Sequence, residues 1–160
     1  VQFKGLLLEE NQHYRRQSDR SRTHIAAPNG LQKLSVPVER KNKAIKEVQI
    51  SYSENWVKDH SKAIESAYAN APYFEVLYPD VKALLCQQFE TLWELNTASI
   101  ALFSQWLELE LLKEETSEYA DNTGIKDFRD IHPKQTSQMN FPLYGQVFQH
   151  KIGFHPSLMF

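Results

Sequence analysis

The first fifty residues alternate apolar and polar side chains with the two-residue period of β-strands. Leu6–Leu8 form a short apolar run that predicts a buried strand. The runs Thr23–Ala26 and Leu31–Val36 flank Pro28-Asn29-Gly30, and an Asn-Gly pair there predicts a hairpin with both turn residues at positive φ. Glu47–Ile50 alternates again and predicts a further strand. The pattern therefore predicts a small sheet.

The period changes to that of α-helices after residue 50. Ser51 and Glu54 fit a capping box, and a helix is predicted over about 54–70, ended by Asn70 and Pro72. Its inward stripe comprises Trp56, His60, Ala63, Ala67 and Ala71. A second, long helix is predicted over about 80–112, with Pro79 at its first turn. Residues after Thr116 have no long period and predict loop with short strands.

These elements predict an α+β (mixed α/β) fold. A small sheet with a hairpin from residues 6–50 would pack against the two helices, followed by a loop-rich C-terminal part. A chain of 160 residues fits one domain, residues 1–160. Because the chain begins at Val1 rather than Met, we expect its start to be incomplete.

Composition narrows the class of protein. Eighteen basic against twenty acidic residues exclude a ribosomal-type polycation and an acidic disordered tail. One cysteine, Cys86, permits no intrachain disulfide, so a reducing, cytoplasmic compartment is expected, with Cys86 a buried and inert thiol. No apolar run approaches the ~20 residues of a membrane span, so we expect no membrane insertion.

Charge is unevenly distributed along the chain. Residues 1–46 carry ten basic and four acidic side chains, whereas residues 47–160 carry eight basic and sixteen acidic ones. Four arginines, namely Arg15, Arg16, Arg20 and Arg22, fall within eight residues. Arginine binds phosphate or carboxylate bidentately, so an anionic ligand is one interpretation. The other is pairing with the acidic second half. If the segment is extended, Arg16, Ser18, Arg20 and Arg22 share one face.

Three further groups are candidates for chemistry. His60 lies on an apolar helix stripe, where it is either a hydrogen-bonded core residue or an acid/base at a cleft. Asn96 is expected to be buried and to hydrogen-bond backbone elsewhere. The dense group Asp127–Lys134 places Asp, Arg, His and Lys in one predicted loop, which is either a solvated loop or a binding loop.

Several familiar sites are missing. The sequence has no Gly-rich phosphate loop, no nucleophile elbow and no helical histidine pair at i, i+4, so it indicates no metal site and identifies no cofactor. No recognised nucleic-acid motif is present and the chain is acidic, so nucleic acid is not expected as a partner.

Blocks of sequence spread over nearly the whole chain carry a family resemblance. They are His13–Ser18, Arg20–Arg22, Ile25-Ala26, Asn29-Gly30, Leu34–Val38, Ile45–Ile50, Trp56, His60, Ala67-Tyr68, Ala71–Phe74, Ile131–Lys134, Tyr144, Gln146–Phe148, Lys151 and Gly153-Phe154. In this order the blocks resemble the WbqC-like protein family of bacteria, and most of all its short form common in Bacteroidetes. Departures from the family pattern include Asp19, Ser21 and Ser157. The family's usual N-terminal and C-terminal blocks are absent, so the resemblance implies that the chain is incomplete at both ends and near Lys4.

The resemblance implies a role among genes for surface-polysaccharide (O-antigen, lipopolysaccharide) biosynthesis. It suggests a transferase that acts on a nucleotide-linked sugar or a similar small anionic substrate. The candidate catalytic residues are then His60, His132 and Lys134. The candidate substrate-binding residues are His13, Arg16, Arg20, Arg22, Arg129 and Tyr144.

The alternative is a non-catalytic binding or scaffold protein. It would use an aromatic interface formed by Tyr73, Phe74, Tyr78, Tyr144 and Phe148. The sequence leaves the oligomeric state open.

Overall fold

A computed structural model describes residues 5–15, 18–39, 43–109, 112–116 and 145–154. In chain order the elements are β1 (Gly5–Leu8), β2 (Arg22–Ala27), β3 (Gly30–Ser35), a 3-10 helix (Ile45–Glu47), α1 (Trp56–Tyr68), α2 (Phe74–Cys86), α3 (Leu92–Trp106), β4 (Leu112–Glu115) and α4 (Gln149–Ile152). The fold is α+β, as the sequence pattern predicts.

The predicted hairpin is confirmed, but its turn lies one residue earlier than expected. β2 and β3 pair antiparallel from Arg22↔Ser35 to Ala27↔Gly30, which leaves Pro28 and Asn29 as the turn residues. Among these residues only Gly30 has positive φ, at 125°. Proline fixes its own φ near −65° and suits the first central position of a type I turn, so the chain turns at Pro28-Asn29 rather than in the predicted Asn-Gly turn with two positive φ angles.

β1 pairs in parallel with β4, in register from Gly5↔Leu112 to Leu8↔Glu115. This strand contradicts the sequence prediction, which placed residue 112 at the end of a helix. Thr116 continues the pairing, since its amide donates to the Leu8 carbonyl at 3.1 Å and its hydroxyl to Glu9 Oε1 at 2.9 Å. Asn11 Nδ2 donates to the Thr116 carbonyl at 3.0 Å. The carboxyl ends of the two strands are thus closed by polar contacts.

The strand predicted at residues 47–50 is wrong as a regular strand. Residues Ile45–Glu47 form the 3-10 helix, followed by single bridges of Gln49 to Thr91 and of Ile50 to Val38. The Val48 and Ile50 side chains are buried. The apolar positions were therefore identified correctly, whereas their partners are scattered loops rather than one neighbouring strand.

The helices differ from the prediction in number and in their ends. Ser51 bonds Ser53 rather than capping α1, whose N-cap Asn55 makes no side-chain cap bond. The predicted helix over 80–112 is two helices, because the chain leaves helical geometry after Cys86 and begins α3 at Leu92. Thr91 and Glu94 form the capping box that starts α3.

The position of Pro79 within its helix also differs from the prediction. Pro79 is inside α2 rather than in its first turn. α2 begins after Tyr73, which has φ of 63°.

None of the helices in the described part of the chain is long and apolar enough to cross a membrane.

The central core joins the loop after β3 to two helices. Val48, Ile50, Trp56, Leu92 and Leu95 form one buried cluster, with Leu92 fully buried. Partly buried side chains packed against it include Tyr14, Val36, Val38, Leu84 and Phe89. Burying a leucine of this kind contributes roughly 1.5–3 kcal/mol. This core supports the segment that carries the arginines, because Tyr14 belongs to that segment.

Candidate anion-binding site

The segment after β1 is held against residues 43–46 by antiparallel backbone contacts. The Tyr14 amide donates to the Lys43 carbonyl at 3.1 Å, and the Ile45 amide to the Gln12 carbonyl at 2.9 Å. Lys46 Nζ forms an ion pair with Glu10 at 2.7 Å. His13 bridges to Ala44, and its side chain is exposed at the start of the arginine segment. The chain enters that segment with a fixed direction.

The arginine segment turns instead of extending, so the predicted common face of Ser18, Arg20 and Arg22 is wrong. Residues 18–21 form a turn in which the Ser21 amide donates to the Ser18 carbonyl at 3.4 Å. Ser18 is only 2% exposed, and its hydroxyl donates to the Arg15 carbonyl at 2.7 Å. Short hydroxyl side chains favour such local bonds to backbone over an extended strand.

Arg20 is fixed at both its side chain and its backbone. Its guanidinium Nη2 donates to Oε1 of Gln12, a side chain that is 7% exposed. Asn96 on α3 donates through Nδ2 to the Arg20 carbonyl at 2.9 Å. This confirms the prediction that Asn96 is tied to distant backbone. An arginine whose fork is already oriented loses less rotamer entropy when it binds an anion.

Ser21 and Arg22 join this turn to the hairpin. The Tyr14 hydroxyl and Ser21 Oγ are 2.6 Å apart, and the Val36 amide donates to the Ser21 carbonyl at 2.8 Å. Ser21 is therefore buried and hydrogen-bonded. Arg22 is the first residue of β2 and lies opposite Ser35.

His60 and Arg22 each contact Ser35, which pairs with Arg22 in the hairpin and accepts a hydrogen bond from His60. His60 is 8% exposed, its ring is 5.2 Å from that of Trp56, and it hydrogen-bonds the Ser35 backbone. Burial lowers the pKa of His60 below its ordinary 6.5, and the Ser35 carbonyl and the Asp59 charge offset this only in part. The imidazole is therefore neutral at pH 7.

α1 also reaches the other strand of the hairpin. The Tyr68 hydroxyl accepts a hydrogen bond from the Ala26 amide at 3.0 Å, and burial raises the pKa of Tyr68. His60 and Tyr68 thus attach one helix to β3 and to β2. Since both contacts are to backbone groups, they hold the hairpin without depending on its side chains.

The structure brings together some of the predicted site residues. Arg22 and His60 both contact Ser35, whereas Arg20 contacts Gln12 and Asn96, and His13 precedes the arginines along the chain. The other predicted site residues lie outside the described part of the chain, so their placement stays a prediction. They are Arg16, Arg129, His132, Lys134 and Tyr144.

Gln12 and Ser35 are site residues that the sequence did not reveal. Gln12 has no helical or strand period around it, and Ser35 acts through its backbone. A single polar residue between a strand and an arginine group carries no distinctive spacing. The only available signal was the alternation around Leu34, which places residue 35 on the outer face.

Cys86 and three of the predicted interface aromatics, Tyr73, Phe74 and Tyr78, lie at α2, whereas Phe148 directly precedes α4. Cys86 is exposed, which corrects the expectation of a buried thiol. Phe74 and Tyr78 stack with centroids 4.6 Å apart, while Tyr73 is 76% exposed. A cavity of about 330 Å³ is lined by residues 69–76, except Pro72, and another of about 320 Å³ lies between α2 and α3.

In the part of the chain that the structure describes, no group of three or more His, Cys, Asp or Glu side chains is arranged to hold a metal ion.

The comparison with family models matches residues 4–145 to the WbqC-like protein family. Neither the curated proteins nor the solved structures contain a match.

Proposed function

Because the chain belongs to the WbqC-like protein family, we propose that it is an enzyme of surface-polysaccharide (O-antigen) biosynthesis that acts in the cytoplasm. Its substrate is a small anionic molecule of the nucleotide-sugar class, and its reaction is group transfer. The observation that carries this proposal is the fixed Arg20, whose guanidinium is oriented by buried Gln12 and whose carbonyl is held by Asn96.

The arrangement suits a phosphate group for a physical reason. A guanidinium binds phosphate oxygens through two parallel N–H donors, and this works best when the fork is oriented beforehand. Arg22 begins the strand directly after the same turn. Two arginines on an ordered turn favour a ligand with more than one anionic oxygen, such as a diphosphate.

His60 supplies the proton-transfer group of the proposal. Its hydrogen bond to the Ser35 carbonyl uses one ring nitrogen as donor, so the other nitrogen of the neutral ring is an acceptor. A general base of this kind takes the proton of an attacking amino or hydroxyl group as that group bonds to the transferred group, while the bond from the transferred group to its donor breaks and the donor leaves with the electron pair of that bond. His132, Lys134, Arg129, Arg16, His13 and Tyr144 complete the proposed site.

Isothermal titration calorimetry of the protein with UDP-glucose, UDP and glucose tests the proposal. We expect binding of the two nucleotides but not of glucose. Arg20→Lys keeps the charge but loses the planar fork, so the nucleotide dissociation constants should rise about tenfold. Lys62→Ala, which removes an exposed cation on α1, serves as the control and should leave them unchanged. Equal affinities in wild type and Arg20→Lys contradict the role of Arg20.

A second candidate function, a binding or scaffold protein, is favoured by one specific observation. Tyr73, Val76 and Leu77 expose apolar side chains around the start of α2. Exposed apolar patches mark partner surfaces. A thermal-shift screen against nucleotide sugars, acyl-CoA and amino acids separates the two functions. An enzyme is stabilised by its ligand through mass action, whereas a scaffold shows no shift.

A further inference from the structure

The hairpin of β2 and β3 has an outer face that has not yet been given a role. Successive side chains of a strand alternate between faces, and directly opposite residues share one face. The register therefore places on one face the pairs Arg22↔Ser35, His24↔Lys33 and Ala26↔Leu31. His24, Lys33, Ser35 and Leu31 are exposed, Arg22 is half-buried, and Ala26 is buried. We call this set the outer face.

The outer face is cationic and has no acidic neighbour in sequence. No Asp or Glu occurs between Arg20 and Val38, although the whole chain has more acidic than basic residues. Among the described residues, His24 and Lys33 have neither an ion-pair nor a hydrogen-bond partner for their side chains. Within the described part of the chain, the hairpin therefore presents the His24 and Lys33 donors to solvent without an acidic or hydrogen-bonding partner.

The hydrogen-bond pattern brings His24 and Lys33 close together. The Val36 amide bonds the Ser21 carbonyl, so that pair and every second pair toward the turn exchange ladder bonds. The Ala26 amide instead points outward to Tyr68, as expected for the alternate pairs. His24↔Lys33 is such an alternate pair, in which Cβ atoms lie about 4.5–5.5 Å apart. Two donors at that separation can bind oxygens of one phosphate.

We infer that the outer face binds the diphosphate of the nucleotide-linked substrate, with His24 and Lys33 on one phosphate and Arg22 on the next. One strand step of two residues, about 6.7 Å, separates the two groups. The Lys33 and Arg22 side chains are long enough to span that step. Arg22 is half-buried with its Nε inside the protein, so it would meet the phosphate through its terminal nitrogens. Imidazole donates an N–H in either protonation state, and the lysine ammonium adds charge. The inference rests on the proposed function and assigns it two further residues.

The variant that tests it is His24→Thr combined with Lys33→Thr. Both side chains are exposed and threonine suits a strand, so the fold should be kept, as circular dichroism can verify. The matched control is Lys58→Ala combined with Lys62→Ala, which removes two exposed cations from α1. Each protein is titrated by calorimetry with UDP-glucose, UDP, UMP and inorganic pyrophosphate.

We expect the hairpin variant to bind UDP-glucose and UDP about tenfold more weakly, while the control binds as wild type does. UMP, which has one phosphate, should lose less affinity than UDP. If the hairpin variant keeps wild-type affinity while Arg20→Lys weakens binding, the inference is wrong and the proposed function stands. If wild type binds pyrophosphate through the hairpin but no nucleotide, the proposed function fails and only the anion-binding face remains.

An anionic surface is the competing occupant. Cosedimentation with vesicles of phosphatidylcholine containing phosphatidylserine tests this alternative. Leu31, at the turn end of the outer face, is 45% exposed and is the apolar side chain that would contact such a surface. Vesicle binding that the hairpin variant loses, together with unchanged UDP titrations, overturns the inference in favour of a membrane surface.

Discussion

Residues 10–36 and residues 92–106 differ in how their polar side chains are used. In the first region Gln12 bonds the Arg20 side chain, and Tyr14 bonds Ser21 across the turn. In α3, by contrast, Ser99 and Ser104 donate to carbonyls four residues earlier in the same helix. The arginine-bearing turn is therefore defined by specific side-chain pairs, whereas the helix is defined by its repeating backbone bonds.

Asn96 is the exception that connects the two regions. It lies in α3 but donates to the Arg20 carbonyl, 76 residues away in sequence. The other helical polar side chains named above could be removed without exposing an unpaired group in the turn. The difference shows that the candidate site depends on few side chains. Of the α3 polar side chains named above, only Asn96 bonds the turn directly.

The largest expected effect comes from Asn96→Ala. The substitution removes the donor and leaves the part-buried Arg20 carbonyl unpaired, which should lower the free energy of unfolding by about 2 kcal/mol. Urea denaturation followed by circular dichroism measures it. Nucleotide affinity should fall as well, since the Arg20 turn loses its tether.

Ser99→Ala is the matched control for that comparison. It deletes a hydroxyl that donates to the Leu95 carbonyl of its own helix, so its effect should stay within about 0.5 kcal/mol. Equal losses in the two variants would show that Asn96 acts only as part of the helix. The distinction between the two regions would then be wrong.

The helical region was easier to predict from the sequence, and the reason is physical. The stripe Trp56, His60 and Ala67 is buried as its period predicts, because a helix repeats its face regardless of distant residues. Apolar periodicity does not show the break between Cys86 and Leu92, because the period continues across it. The sequence signal for the break is the Thr91–Glu94 capping box, which starts α3.

The site was only partly predictable. Asn96 lies on the inner side of the helix pattern, where an amide needs a partner, so its bond to distant backbone was predictable although the side chain is only half-buried; its acceptor at Arg20 was not predictable. The segment turns at residues 18–21 instead of extending, because the Ser18 hydroxyl bonds the nearby Arg15 carbonyl and the Ser21 hydroxyl bonds that of Tyr14. The parallel pair of β1 and β4 joins residues more than a hundred positions apart, and no local pattern encodes such a partner.

The second prediction compares two helix starts and concerns a smaller effect. Thr91→Ala removes the cap bond to the Glu94 amide and should cost about 1 kcal/mol of stability. Asn55→Ala occupies the same position in α1, where no side-chain cap bond exists, so a change of only a few tenths of a kcal/mol is expected. Urea denaturation of both variants provides the measurement. A greater loss in Asn55→Ala would contradict the assignment of the caps.

The smallest expected effect is the pH dependence that His60 gives to stability. Because burial lowers the pKa of His60 in the folded protein below the ordinary 6.5, the unfolded chain binds a proton at a higher pH than the folded one. As pH falls below about 6.5, protonation favours the unfolded state, and stability decreases. Above that pH the imidazole is neutral in both states and contributes no slope.

His60→Gln tests this by removing the titration while keeping a side chain that can donate to the Ser35 carbonyl. Urea denaturation at several pH values between 7.5 and 5.0 should show a shallower loss of stability in the variant than in wild type. Identical slopes would show that His60 protonates alike in the folded and unfolded states. A helix-face position predicted from periodicity would then have no electrostatic consequence for the hairpin, and the bond from the Ala26 amide to the Tyr68 hydroxyl would remain as the polar link between α1 and the hairpin among the described residues.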